Sequence, residues 1–193
     1  RDTDRSRGLG DVYKRQIIIV MVATMFAWIM ALLLRLQPMD FEDLNLTPIL
    51  HLILRLIMSF FGVFGFSIMF NSPAPMAATA ALIGAIANSL RLELVDLTGM
   101  PAPAAAFAGA LTAGLLASFI KENNGYPRIS LTVPSIVIMV PGLYLYRAIY
   151  NFGIMALSDA VSWFASAIMI IIALPLGLIF ARILTDKTFR YCT

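Results

Sequence analysis

The chain has 193 residues, of which 60% are hydrophobic and 13% are charged, whereas a typical soluble domain has about 25% charged residues. This composition excludes a disordered protein and an ordinary soluble domain. The formal net charge of +3 does not indicate nucleic-acid binding, because the Lys and Arg residues lie at the ends of apolar runs rather than together on one face. Runs without charged residues occupy 17–34, 56–90, 97–120 and 160–181, and such lengths are typical of membrane spans.

The first 16 residues, RDTDRSRGLGDVYKRQ, differ from the rest of the chain. They are polar and show no apolar period, and neither a short basic start nor a small-residue cleavage site marks them as a signal peptide. We therefore expect residues 1–16 to be a non-native leader and residues 17–193 to form a single transmembrane domain.

The apolar runs predict an all-α integral membrane protein with about six transmembrane helices. The fourth of these helices is rich in Ala and Gly, which permits close packing against neighbouring helices in lipid. The predicted limits are about 17–36, 49–70, 76–95, 104–120, 129–150 and 158–184.

The fifth predicted helix contains Pro134 and the pair Pro141–Gly142. Each proline removes a backbone N–H group and clashes with the carbonyl four residues earlier, and Gly142 adds a flexible joint. A membrane helix tolerates such interruptions where the released backbone groups find partners inside the protein or in a wet cavity. Transporters build binding sites near the middle of the membrane from helices of this kind. The pattern therefore predicts a broken fifth helix in a transporter, or in part of one.

Arg91, Glu93 and Asp96 follow one another at the end of the third predicted helix. Residues two apart do not face each other on a helix, so Arg91 and Glu93 are not expected to pair. Glu93 is expected instead to pair with Arg55 or Arg147. The alternative is that the three charges are solvated at the membrane interface.

The chain has one histidine, His51, and one cysteine, Cys192. One cysteine cannot form an internal disulfide or a thiolate metal cage, and one histidine lacks companions for a metal site. No nucleophile–base pair is present, so an enzyme, a metal site and a cofactor are not predicted. The pattern G-x-x-x-x-G-K-[ST] is also missing, which favours secondary transport over ATP-driven transport.

The distribution of charge predicts the orientation of the spans. Lys and Arg outnumber acids in the 121–128 loop and in the C-terminal tail, whereas the 37–48 loop has three acids and no basic residue. Because basic residues favour the cytoplasmic side and six spans place both ends on one side, an N-in/C-in topology is predicted. Arg35, Arg91 and Arg147 would then lie near the outer ends of their helices.

Two ordered motifs resemble a known family. The first is GFSIMFNSP, from Gly65 to Pro73, and the second is VPSIVIMVPG, from Val133 to Gly142, followed by Tyr146-Arg147-Ala148. The chain resembles the threonine/serine exporter (ThrE) family over about residues 50–185. The likeness is to the C-terminal membrane domain of that family and to its stand-alone small subunit, the YjjB type.

The resemblance implies export of a small polar metabolite such as threonine, serine or a small dicarboxylate like succinate. It also implies a partner, either a second membrane subunit of the family or a fused domain, or a homo-oligomer in the lipid bilayer. The competing interpretation is a membrane subunit that does not transport but stabilises a partner transporter domain. The predicted helix before residue 50 is either a native extra helix or the tail of a preceding domain.

All of these substrates carry a carboxylate, and the planar fork of arginine suits it. Arg147 is the first candidate for binding it, because it lies on the broken helix, and Arg91 is the second. Anchoring of Arg147 at the lipid headgroups is the alternative. Backbone groups near Pro134 and Pro141–Gly142 are expected to complete a substrate pathway, with Ser135 and Asn71 as polar contributors.

Overall fold

A computed structural model describes residues 2–35 and 47–186 of the chain. The regular structure of these residues is helical, which confirms the predicted fold class. The helices are α1 Asp2–Leu33, α2 Pro48–Met69, α3 Ala74–Thr98, α4 Ala102–Asn124, α5 Arg128–Val137, α6 Gly142–Gly153 and α7 Leu157–Thr185. The acidic loop predicted at 37–48 (apart from its last two residues), Cys192 and the basic C-terminal tail lie outside the described residues. The chain divides into two compact units, Arg1–Glu42 and Asp43–Thr193.

The first unit contains α1, which begins at Asp2 rather than at the predicted Ile17. The polar leader is therefore helical and continuous with the apolar run, and its non-native origin stays a prediction. Among the side chains described here, the apolar part of α1 is Met21–Leu33, which is shorter than a membrane span. The predicted sixth span is not confirmed.

The second unit contains four helices that are long and apolar enough to cross a bilayer. These are α2, α3, α4 as far as Ile120, and α7, and their limits agree with the predicted ones to within a few residues. Local chemistry explains where α3 ends. Gly99 follows it with φ +64°, and its N–H donates to Val95 O at 3.0 Å, a left-handed cap that glycine adopts without steric cost.

The fifth predicted helix is two helices, α5 and α6, bent by 41°. Only one of the two predicted breaks is present. Pro134 lies inside α5, so the expected break at Pro134 is wrong. The real break covers residues 138–141, and it would bring the number of spans to five if the pair crosses the membrane as one.

The break is a sequence of tight turns that ends at Pro141. The N–H groups of Met139 and Val140 donate to carbonyls three residues back, at 2.9 and 3.1 Å. Gly142 N–H then donates to Val140 O at 2.8 Å. Pro141 between them has φ −78° and ψ 53°, which is the geometry of an inverse γ-turn. Pro141 has no N–H to donate, and its ψ angle turns the backbone out of the helical path, so α6 starts anew after it.

The α5–α6 pair runs the length of α7. Near the end of α7, Arg128 Nη1 lies 3.3 Å from Thr185 Oγ1. Near its start, the rings of Tyr144 and Trp163 are 5.4 Å apart. These contacts lie 22 residues apart on α7, roughly 33 Å at the helical rise per residue, which is the thickness of a hydrocarbon core. By length, this path is sufficient for one broken span.

Small residues bring α4 and α7 together at the centre of the second unit. A Cβ on Gly177 would lie 2.6 Å from Phe107 O, and a Cβ on Gly114 would lie 2.5 Å from Ala181 Cβ. The small face of α4 is fully buried, as close packing in lipid requires. It consists of Ala106, Ala110, Ala113 and Ala117.

Candidate functional site

A chain of buried polar groups joins α3 to α2. Asn88 and Ser59 are only 5% and 4% exposed, and Asn88 Nδ2 donates to Ser59 Oγ at 2.8 Å. Arg91 Nε donates to Asn88 Oδ1 at 3.2 Å. Buried polar groups in lipid need such partners, because no water is available to satisfy them. The three residues therefore form one network, which we call the Arg91–Asn88–Ser59 network.

The Arg91 guanidinium is held towards the interior of α3. Asn88 precedes Arg91 by one helical turn, so the bond draws the side chain towards the start of α3 and away from the helix end at Thr98. A side chain that reaches for the headgroups would extend the other way. The bond to Asn88 thus ties the Arg91 guanidinium to the preceding turn of α3.

The nearest acids on α3 serve a different arginine. Glu93 Oε1 lies 2.8 Å from Arg55 Nη1, and Asp96 pairs with Arg55 Nη2. The predicted pairing of Glu93 with Arg55 is confirmed. In the described part of the chain, no carboxylate pairs with Arg91.

Aromatic side chains connect Arg91 to the second half of the broken helix. Tyr144 on α6 lies near the Arg91 guanidinium, and its ring meets Trp163 of α7 edge to face. Arg147 lies over the face of Trp163, with Cζ 4.7 Å from the ring centre, a distance at which a cation–π contact forms. The two predicted arginines are therefore linked through Tyr144 and Trp163.

The break in the broken helix lies beside this cluster. A Cβ on Gly62 of α2 would lie 2.9 Å from Ile138 Cδ1, and a Cβ on Gly109 of α4 would lie 3.2 Å from both Met139 Sδ and Arg91 Cβ. Glycines on α2 and α4 thus allow the break to approach these helices closely. Gly109 lies against both Met139 of the break and Arg91, so Arg91 is close to the break. The break lies about ten residues from either end of the pair, near the middle of the span.

Helix α6 starts at the break, about halfway along the α5–α6 pair. The first intrahelical bond is from Leu145 N–H to Pro141 O at 3.1 Å. The N–H groups of Leu143 and Tyr144 precede that bond, and the first N–H groups of a helix have no intrahelical partner. They carry partial positive charge, which favours an anion.

Ser135 and Pro134 have a different environment from the one predicted. Ser135 is fully buried, and its hydroxyl lies 2.9 Å from Ala80 O and 2.6 Å from Leu131 O. A Cβ on Gly84 would lie 3.1 Å from Ser135 Cα and 2.6 Å from Val63 Cγ2. Ser135 therefore fastens α5 to α3 through Ala80 O.

Asn71 lies far from the other predicted site residues. It occupies the turn between α2 and α3 with φ +59°, and it is exposed. Arg55 near the start of α2 pairs with residues near the end of α3, so the two helices are antiparallel and Asn71 lies at the opposite end from these charges. The structure brings Arg91, Arg147, Pro141 and Gly142 into one region, and it leaves Asn71 outside.

Four residues of this region were missing from the predicted site. Asn88, Ser59, Tyr144 and Trp163 are uncharged and lie within apolar runs, where they resemble ordinary packing residues. Helical spacing is the signal that would have found some of them. Asn88 precedes Arg91 by three residues, and Tyr144 precedes Arg147 by three, so each pair shares a helix face.

Comparison with known proteins confirms the resemblance. No curated protein and no solved structure matches the chain. A sequence model described as Threonine/Serine exporter, ThrE, matches residues 55–184, which covers α2 except for its first turns, the broken helix, and α7 almost to its end. The chain therefore belongs to the threonine/serine exporter family.

Proposed function

We propose that this chain is a subunit or domain of a secondary exporter of small polar metabolites in a bacterial inner membrane. Threonine, serine and small dicarboxylates such as succinate are the substrate classes. The observation that carries the proposal is a cationic, hydrogen-bonded network beside a helix break inside an otherwise apolar bundle. An ionisable residue within a membrane bundle is by default a functional residue, because burying it is costly.

The break supplies what a transport site needs besides charge. The start of α6 offers N–H groups near the middle of the span, and α5 and α6 pack on different neighbours. Helix α5 packs mainly on α2, α3 and α4, whereas α6 packs mainly on α7. A substrate bound between the halves can therefore be exposed to one side or the other as α6 moves about Pro141–Gly142.

The proposed orientation follows from the basic residues. With N-in/C-in topology, the loop around Lys121 and Arg128 faces the cytoplasm, and the α3–α4 turn faces outwards. The partner in this proposal is a second membrane subunit or fused domain of the same family, or a second copy of this chain.

The alternative is a subunit that stabilises a partner without transporting. The small-residue face of α4 was the sequence feature that suited such a role. That face is covered by α7 within the chain, so it offers no surface to a partner, and we favour the transport role.

Export of labelled serine, threonine and succinate from cells tests the proposal. The arms are cells with this chain alone, with the product of the neighbouring gene alone, and with both. Export only with both proteins makes this chain an obligate subunit, and export with the chain alone makes it a sufficient pathway. Export by the neighbour alone, unchanged when this chain is added, would contradict the transport role.

A further inference from the structure

We propose that Arg91 binds the carboxylate of the exported metabolite and that Asn88 and Ser59 position its guanidinium. This inference rests on the proposed function and chooses between its two candidate arginines, Arg91 and Arg147.

The first step is the geometry of the guanidinium. Nε of Arg91 is used by Asn88, while in the described residues no protein acceptor takes a hydrogen bond from its two terminal nitrogens. Arginine presents five N–H donors in a rigid plane, and the terminal pair matches the two oxygens of a carboxylate. The network therefore binds Nε of the guanidinium and leaves the two terminal nitrogens for a ligand.

The second step is that the network is rigid. Asn88 and Ser59 are each at most 5% exposed, and their bond crosses from α3 to α2. Gly109 of α4 packs against the Arg91 stem. Three helices thus fix the position of the side chain before any ligand arrives, which lowers the entropic cost of binding.

The third step is a comparison with the other arginines. Arg55 has both terminal nitrogens taken by Glu93 and Asp96, so it has no edge for a substrate. Arg147 presents the face of its guanidinium to Trp163, which suits a role in holding α6 on α7. Arg91 combines a guanidinium held through Nε by Asn88 with terminal nitrogens that no described acceptor uses.

The most discriminating variant is Asn88→Asp. It keeps the size of the side chain but places a carboxylate beside Arg91 Nε, where the new charge would compensate the guanidinium in place of the substrate carboxylate. If Arg91 served packing alone, this change would strengthen its bond to residue 88 and leave export intact. We expect each of two variants to lower export by about tenfold or more. Asn88→Asp compensates the charge of Arg91, and Arg91→Lys loses the bidentate contact with the carboxylate.

The matched control is Arg55→Lys, which keeps one of the nearby ion pairs and lies outside the proposed site. It is expected to export at a rate close to that of the wild type. The amount of each variant in the membrane and its melting temperature in detergent are measured in parallel, so that a loss of folding is recognised.

A second readout is independent of whether Asn88→Asp folds. Binding of serine, threonine and succinate, and of the corresponding carboxamides, is measured on the purified full chain with its transport partner. The wild type is expected to prefer the acid by about tenfold or more, and Arg91→Gln is expected to narrow this ratio towards one.

Wild-type-like export by folded Asn88→Asp, or an unchanged acid-to-amide ratio in Arg91→Gln, would overturn the role of Arg91 while leaving the exporter assignment in place. Absence of export and of binding in the wild type would instead overturn the proposed function, and this inference with it.

Discussion

At the scale of single residues, Arg91 differs from Arg55 in its counterions. An arginine at the centre of a membrane helix costs about 2.5–3.5 kcal/mol on insertion scales. Arg55 offsets such a cost with two carboxylates, whereas Arg91 has an amide and no acid among the described residues. In the role proposed for Arg91, the carboxylate of the substrate supplies the missing anion.

Gly84 shows how tightly α2, α3 and α5 meet. We expect Gly84→Ala to destabilise the protein by about 1–3 kcal/mol, because the new Cβ would overlap Val63 and approach the backbone of Ser135. The measurement is the melting temperature of the purified protein in detergent.

Gly65→Ala is the matched control for that substitution. Gly65 lies on α2, one of the three helices that meet at Gly84, and a Cβ on Gly65 would meet nothing within 4 Å. It is expected to be neutral or slightly stabilising, because Ala favours a helix by about 0.5–1 kcal/mol over Gly. Equal melting temperatures for the two variants would show that the contact at Gly84 is not as close as described.

Residue-level prediction from the sequence succeeded where charge gave the signal. The sequence predicted that Glu93 would pair with Arg55 or Arg147, because few basic side chains lie within the apolar runs and Glu93 cannot face Arg91 on the same helix. The hydrogen bond from Ser135 to α3 could not be predicted, because a serine beside a proline suits both a substrate pathway and a helix–helix contact. The position of Ala80 O, which the sequence does not give, favours the helix–helix contact. Asn88 was missed because an amide inside an apolar run carries no charge.

At the scale of the elements, the broken helix consists of two halves with separate packing. Arg128 and Ser135 tie α5 to the bundle through Gly114 O and Ala80 O, whereas α6 meets α7 through Tyr144, Arg147 and Trp163. The predicted break at Pro134 failed because tertiary hydrogen bonds and packing sustain the helix there. The helix breaks at Pro141 for two reasons. Pro141 has no N–H group to donate, and it forms a tight turn that Gly142 N–H closes.

Gly142 tests whether the break acts as a hinge. A Cβ at Gly142 would meet nothing within 4 Å, and the residue begins α6, so Gly142→Ala is expected to fold normally. Its narrower backbone freedom should slow movement of α6. We expect export to fall several-fold, with an unchanged melting temperature and unchanged substrate binding.

The control for the hinge variant is again Gly65→Ala, which changes glycine to alanine away from the break. Wild-type export rates in Gly142→Ala would mean that the joint at Pro141–Gly142 does not need the flexibility of glycine.

At the scale of the whole molecule, length and hydropathy predicted most of the spans. The long uncharged runs fixed α2, α3, α4 and α7, because water-free hydrocarbon demands about 20 apolar residues in a row. The sixth span was not confirmed, since the described apolar part of α1 is short. Packing partners could not be predicted, because in lipid they depend on the fit of small residues such as Gly177 against Ala110 rather than on hydropathy.

Cysteine labelling tests the proposed orientation. In a Cys192→Ser background, Leu97→Cys places a thiol at the exposed end of α3, where Leu97 is 76% exposed, and Ser72→Cys places one in the α2–α3 turn. With N-in/C-in topology, a membrane-impermeant maleimide should label Leu97→Cys in cells with a permeable outer membrane. It should label Ser72→Cys only after the inner membrane is opened. The reverse pattern would contradict the proposed orientation, and labelling of both from outside would contradict a spanning α3.

The most direct measurement of the central claim is counterflow of labelled serine, threonine and succinate into proteoliposomes that contain this chain together with its neighbouring gene product. We expect saturable uptake of at least one of these substrates, above that of liposomes with the neighbour alone. Uptake no faster than in those liposomes, with both proteins inserted and folded, would contradict the claim that this chain is part of an exporter for small carboxylate-bearing metabolites.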